Sequence, residues 1–145
     1  MRAAILTALV LVGAAPPSMG QPTGEVAVSL SGLRSAKGLV QACLTRDAGA
    51  FPDCRKDPES RRLTLAASEA GSIRFAALPA GRYAVALLHD ENGNGRADMA
   101  LLVPREGFGF SRDAAVSFGP PRFAKAAFAV GEGEVTMPIR MRYLL

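Results

Sequence analysis

The chain has 145 residues, a mass of 15.1 kDa and a formal net charge of +4, with 49% hydrophobic and 21% charged residues. That is room for one domain, too apolar for a disordered chain. One His and two Cys exclude a multi-histidine metal enzyme, a zinc ribbon and an iron–sulfur protein. The positive charge is dispersed among arginines rather than gathered in a stripe, which excludes a nucleic-acid partner.

Residues 1–20 have the layout of an export signal. Met1-Arg2 is a short positive start, Ala3–Val12 is an apolar run, and GAAPPSMGQP follows with small residues and prolines. The run is shorter than the roughly 20 apolar residues a membrane-spanning helix needs. Cleavage after Gly20 is expected, leaving residues 21–145 as a single domain, periplasmic or secreted, without a membrane anchor. In that compartment Cys43 and Cys54 are expected to pair, stabilising the fold by up to roughly 3 kcal/mol. Two buried free thiols are the alternative.

The mature segment alternates as strands do. Val26, Val28 and Leu30 mark the first, Leu39–Leu44 the second, Leu63–Ala67 the third, and Ile73 with Phe75 the fourth. Leu78-Pro79-Ala80-Gly81 reads as a turn. The fifth strand carries Tyr83, Val85 and Leu87 on one face and Ala84, Ala86 and Leu88 on the other, so both faces are expected to be buried. Phe123–Val130 reads as a sixth strand, although Ala124–Ala129 also suits a helical turn. Val135, Met137, Ile139, Met141 and Tyr143 share one face of the last, where Pro138 points to an edge or a bulge. About seven short strands split by Gly/Pro-rich turns predict an all-β, antiparallel β-sandwich with a long Gly/Pro/Phe-rich loop region.

Chemistry is concentrated between residues 89 and 123. In HDENGNGRAD, Asp90, Asn92, Asn94, Arg96 (through its carbonyl) and Asp98 have the spacing of a calcium loop, with Gly95 at the turn. Leu101 stands where such a loop wants a bidentate Glu, so calcium, the one cofactor considered, is expected to bind weakly. Glu106 is the nearest downstream substitute. The alternative is a polar connection of Asx-turns with Gly93 and Gly95 at positive φ. Arg105, Glu106, Phe108, Phe110 and Arg122, together with His89, mark a loop for a protein, glycan or small-molecule ligand. Phe108 and Phe110 either form a stacking surface or plug the open end of the sandwich. His89 beside a carboxylate would permit general-base chemistry, with Ser111 or Ser117 as nucleophile or Asp98 and Glu106 as a carboxylate pair. No G-x-S-x-G elbow supports that reading.

The pieces LPAGRYAVALLHDENGNGRAD, VPREGFGFS and GPPRFAKAAF together resemble the bacterial family called domain of unknown function 2141. The resemblance implies an exported single-domain β-sandwich, similar in plan to transthyretin-like and carboxypeptidase-regulatory-like domains. It implies no catalytic residues. The function expected is therefore a non-enzymatic binding or structural module; the alternative is a small hydrolase or lyase using His89 with Asp98 or Glu106.

Overall fold

The computed structural model describes residues 20–95, 99–100 and 103–145. Its elements are β1 (Thr23–Ser31), β2 (Leu39–Thr45), β3 (Arg61–Ala66), β4 (Ser72–Pro79), β5 (Gly81–Asp90), β6 (Met99–Ala100), β7 (Val103–Pro104), β8 (Gly107–Phe110), the one-turn helix α1 (Phe123–Ala126), β9 (Phe128–Val130) and β10 (Gly133–Arg140). The segment expected to be an export signal, apart from Gly20, lies outside the described residues, as do Arg96, Asp98 and Leu101.

Two sheets face each other. The first has the order β10-β1-β4 and the second β3-β2-β5-β8, with β9 joining β5 further along the same edge as β8. Between them lies the core: Val26, Val28 and Leu30 of β1, Ile73 and Phe75 of β4 and Ile139 of β10 meet Val40 and Leu44 of β2 and Val85 and Leu87 of β5. The strand period of two produces this directly, since every second residue faces the partner sheet. The chain changes sheets at Leu78–Gly81, so the predicted turn is a corner rather than a hairpin. Tyr83 pins it by donating its hydroxyl proton to the Pro79 carbonyl (2.7 Å).

The all-β sandwich expected from the sequence is present, with three departures. First, β1 and β10 run parallel, in register from Gly24↔Gly133 to Ser31↔Arg140, within an otherwise antiparallel arrangement. β10 lies at the sheet edge, where Pro138 needs no ladder donor on its open side. Second, Phe123–Val130 is not one strand. Phe123–Ala126 closes a helical turn through the Ala127 N–H on the Phe123 carbonyl (2.8 Å), and only Phe128–Val130 extends along β5. The alanine content suits the turn, while burial of Ala126 and Ala127 holds it down. Third, Gly107–Phe110 is a strand inside the stretch read as loop, paired with Ala86–His89.

β5 is buried on both faces, as its sequence predicts. Its outer face carries Ala86 against Phe108, Phe110 and the Cys43–Cys54 disulfide, whose Cα atoms are 5.8 Å apart. Phe108 and Phe110 therefore cover the outside of the second sheet rather than plug the end of the sandwich. The disulfide ties the 46–60 loop over that face. Asp57 organises the loop by accepting from the Thr45 hydroxyl (2.6 Å) and the Glu59 N–H (2.8 Å), and the Thr45 bond is the main cause that lowers the Asp57 carboxyl below its ordinary value.

Candidate functional site

β5 ends in His89 and Asp90, and alternation sends the two side chains to opposite faces. His89 points inward and is fully buried. Its Nε2 lies 2.8 Å from the Lys37 carbonyl, which can only accept, so Nε2 carries the proton. Nδ1 then accepts from the Tyr143 hydroxyl at 2.6 Å. The same hydroxyl oxygen accepts the Arg34 N–H at 3.2 Å. Both ring nitrogens are thus engaged inside the protein.

Around this pair stands a polar cluster that the sequence did not reveal. The Arg34 guanidinium lies 4.4 Å from the centre of the Tyr143 ring. It donates to Glu91 through Nε (2.9 Å) and Nη2 (2.5 Å), to the Leu145 carbonyl (2.6 Å) and to the Arg105 carbonyl (3.2 Å). Ser35 adds a hydroxyl donor to Glu91 at 2.7 Å. The Arg34 hydrogen bond, with Ser35 behind it, pulls the Glu91 carboxyl down to about 2. Burial pushes the Tyr143 phenol up. The sequence signals for this cluster were His89 and Tyr143, the latter at the end of the last alternating strand. Arg34 sits in a connection with no pattern of its own.

Asp90 points to the other face and is also fully buried. Its carboxylate accepts from the Gly95 N–H (2.6 Å), the Asn94 N–H (3.2 Å) and the Gln41 side-chain amide (3.2 Å). Asn92 accepts the Asn94 N–H at 3.1 Å, and Gly93 and Gly95 have φ of 67° and 76°. The first half of the loop therefore has the Asx-turn and positive-φ geometry foreseen for a polar connection. Glu106, the residue before β8 and buried at 4% exposure, accepts the Glu91 N–H at 3.2 Å at the start of the loop. Two buried carboxylates, Asp90 at the end of β5 and Glu106 just before the neighbouring β8, thus meet the start of the loop. Among the described residues no group of three His, Cys, Asp or Glu side chains is gathered to hold a metal ion. A cation here would also need amide and carbonyl oxygens, and Asp98 beyond the described residues.

The other sequence-predicted residues take separate places. Arg105 is exposed and contributes its carbonyl to Arg34. Arg122 is exposed at the start of α1, where its carbonyl accepts the Lys125 N–H, and no described contact joins it to the Asp90 loop. Ser111 is fully buried. It accepts the Val85 N–H (2.9 Å) and donates to the Ala126 carbonyl (2.6 Å). Its hydroxyl bridges the gap along β5 between the segments paired with β9 and β8, which is a structural task. Ser117 is exposed on the surface.

These features define a disulfide-closed, two-sheet β-sandwich with a polar loop and a saturated His–Tyr–Arg–Glu cluster at one end. The chain belongs to the family described as an uncharacterized protein conserved in bacteria (DUF2141), whose model matches residues 28–138. No curated protein and no solved structure matches it.

Proposed function

We propose that the protein is an exported, non-enzymatic binding module, transthyretin-like in plan, whose 90–98 loop holds a calcium ion weakly. The observation that carries the non-enzymatic reading is the state of His89. The one imidazole in the chain is fully buried, with both nitrogens spent on Lys37 and Tyr143. A general base must reach substrate, and this ring has no free nitrogen to offer. A hydrolase or lyase using His89 with Asp98 or Glu106 would have to dismantle the cluster first.

Export is supported by the signal-like first twenty residues and by the disulfide, which persists in oxidising compartments. The calcium reading is supported by the Asp90-Asn92-Asn94-Gly95 spacing and by the buried Glu106 just before β8, the candidate for the carboxylate missing at Leu101. Calcium affinity is expected near 10⁻⁴–10⁻³ M, the range of extracellular modules.

Thermal melting of the mature domain tests this. At about ten times the dissociation constant, calcium adds about 1.4 kcal/mol, or about 4–6 °C in Tm for a domain of this size. Asp90→Ala is expected to abolish the rise. Unchanged melting up to about 10 mM calcium would make the loop an Asx-turn connection with no bound ion.

A further inference from the structure

The outer face of the second sheet is a groove of about 770 Å³. Two cross-strand rows make its floor. Arg62, Cys43, Ala86 and Phe110 lie side by side across β3, β2, β5 and β8, and Thr64, Gln41, Leu88 and Phe108 form the next row. Alternation places all eight away from the core. The floor therefore grades from polar and cationic on β3 to aliphatic and aromatic on β5 and β8. The disulfide loop, through Pro52, Asp53 and Arg55, walls one end, and Gly95 of the polar loop walls the other. From Ala86 to Asp90 along β5 is about 13 Å, which limits the occupant to a small molecule. The volume falls in the range of small-molecule sites, which are largely apolar with a few placed polar groups.

Charge selects among small molecules. Arg62 is exposed and forms no ion pair among the described residues. Arg55 stands at the same end, 3.5 Å from Asp53. The smaller hollow of about 310 Å³ beside Tyr83 differs, because Asp57 and Glu59 line it together with Arg46 and Arg61, and Arg46 is paired with Glu59 at 3.1 Å. In the groove Arg62, without an ion pair among the described residues, stands at the polar side of a floor that turns apolar toward β5 and β8.

We infer that this groove binds a small organic anion with a flat apolar body, an aromatic carboxylate or sulfonate, its charge on Arg62 and its body over Leu88, beside the buried edge of Phe108. The inference rests on the binding-module reading and names the ligand class. It does not require the calcium ion. Guanidinium–carboxylate and guanidinium–sulfonate contacts are charge-assisted and directional, and a half-buried Leu88 leaves apolar surface for the body to cover.

The test uses two fluorescent probes on the mature protein: anilinonaphthalenesulfonate and its uncharged counterpart phenylnaphthylamine. The sulfonate is expected to bind saturably at one site. Arg62→Glu should weaken it about tenfold or more, the loss of one charge-assisted contact. Phenylnaphthylamine should bind wild type and Arg62→Glu alike, and Leu88→Glu should weaken both probes. Arg140→Glu, on the other sheet, makes the same net-charge change and should leave the affinities within about twofold. No saturable binding overturns the inference. So does an equal loss with Arg140→Glu, or an equal loss of the uncharged probe with Arg62→Glu. Titrations with calcium and with chelator separate the two proposals: probe binding that persists without any calcium effect on melting defeats the ion alone, and a calcium effect without probe binding defeats the groove alone.

Discussion

Tyr143 joins three chain segments through one hydroxyl, donating to His89 Nδ1 and accepting the Arg34 N–H. Tyr143→Phe keeps the ring beneath Arg34 but leaves the buried Nδ1 without its donor. Leaving a buried polar group unpaired costs about 1–3 kcal/mol, so urea denaturation should show a loss in that range; a change near zero would mean that Nδ1 finds another donor. Glu91 provides a pH signature. Its folded-state value, about 2, lies below the ordinary 4.5, so the unfolded chain binds more protons between those values. The stability it contributes is present above pH 4.5 and is lost as pH falls through about 2. Glu91 is partly exposed, so screening reduces the contribution to about 1 kcal/mol. Wild type is expected to exceed Glu91→Gln by that amount at pH 7, with the gap closing as pH approaches 2. A gap independent of pH would assign the difference to packing instead. At this scale the sequence was readable where residue type alone restricts the options. Cys43 and Cys54 had only each other, and Asp90 with its spaced Asn and Gly residues announced a closed polar loop. Arg34 and Ser35 gave no warning, because their roles depend on partners 57 and 56 residues away.

β8 shows how an element can hide in composition. Gly107-Phe108-Gly109-Phe110 has the alternation of a strand, with glycine in place of the inward apolar residue. The reason is steric. A Cβ at Gly107 would stand 2.3 Å from the Tyr143 ring, and one at Gly109 would stand 2.7 Å from Ile139. The glycines admit β10 and the tail that follows it to the inner side of β8, while the two phenylalanines cover the outer side. Gly107→Ala should therefore displace the Tyr143 ring and weaken its bond to His89. A loss of about 1–3 kcal/mol is expected, the usual cost of overpacking, measurable by chemical denaturation. A variant as stable as wild type would contradict so close a contact. The strands with apolar alternation, β1, β2, β4, β5 and β10, were legible for the opposite reason: their buried faces are written in Val, Ile, Leu, Phe and Met. α1 was not, because a single Ala-rich turn between aromatics has no period to detect.

At the scale of the whole molecule, strand pairing is what local pattern cannot convey. β10 was recognisable as a strand, yet nothing in its alternation says that it runs parallel to β1. Beyond β10 the tail continues the pairing, with the Met141 N–H on the Ser31 carbonyl (2.8 Å) and reciprocal bonds between Phe108 and Arg142 (3.0 and 2.8 Å). The tail thus laces the first sheet to β8 and carries Tyr143 to His89. The outcome is a hydrogen-bonded interior beneath a loop and a groove that face outward, the arrangement on which the proposed binding function rests. Under the proposed function the Asp90 loop takes up calcium while the histidine behind it stays sealed. Following backbone amides by two-dimensional NMR during a calcium titration of the mature domain tests this most directly. Saturable shifts are expected at millimolar calcium, confined to Gly93, Asn94, Gly95 and their neighbours up to Glu106, with the amides of Ser35–Lys37 and Tyr143 unmoved. No shifts up to about 10 mM, or shifts scattered over exposed carboxylates such as Glu25, Glu59 and Glu134, would contradict it.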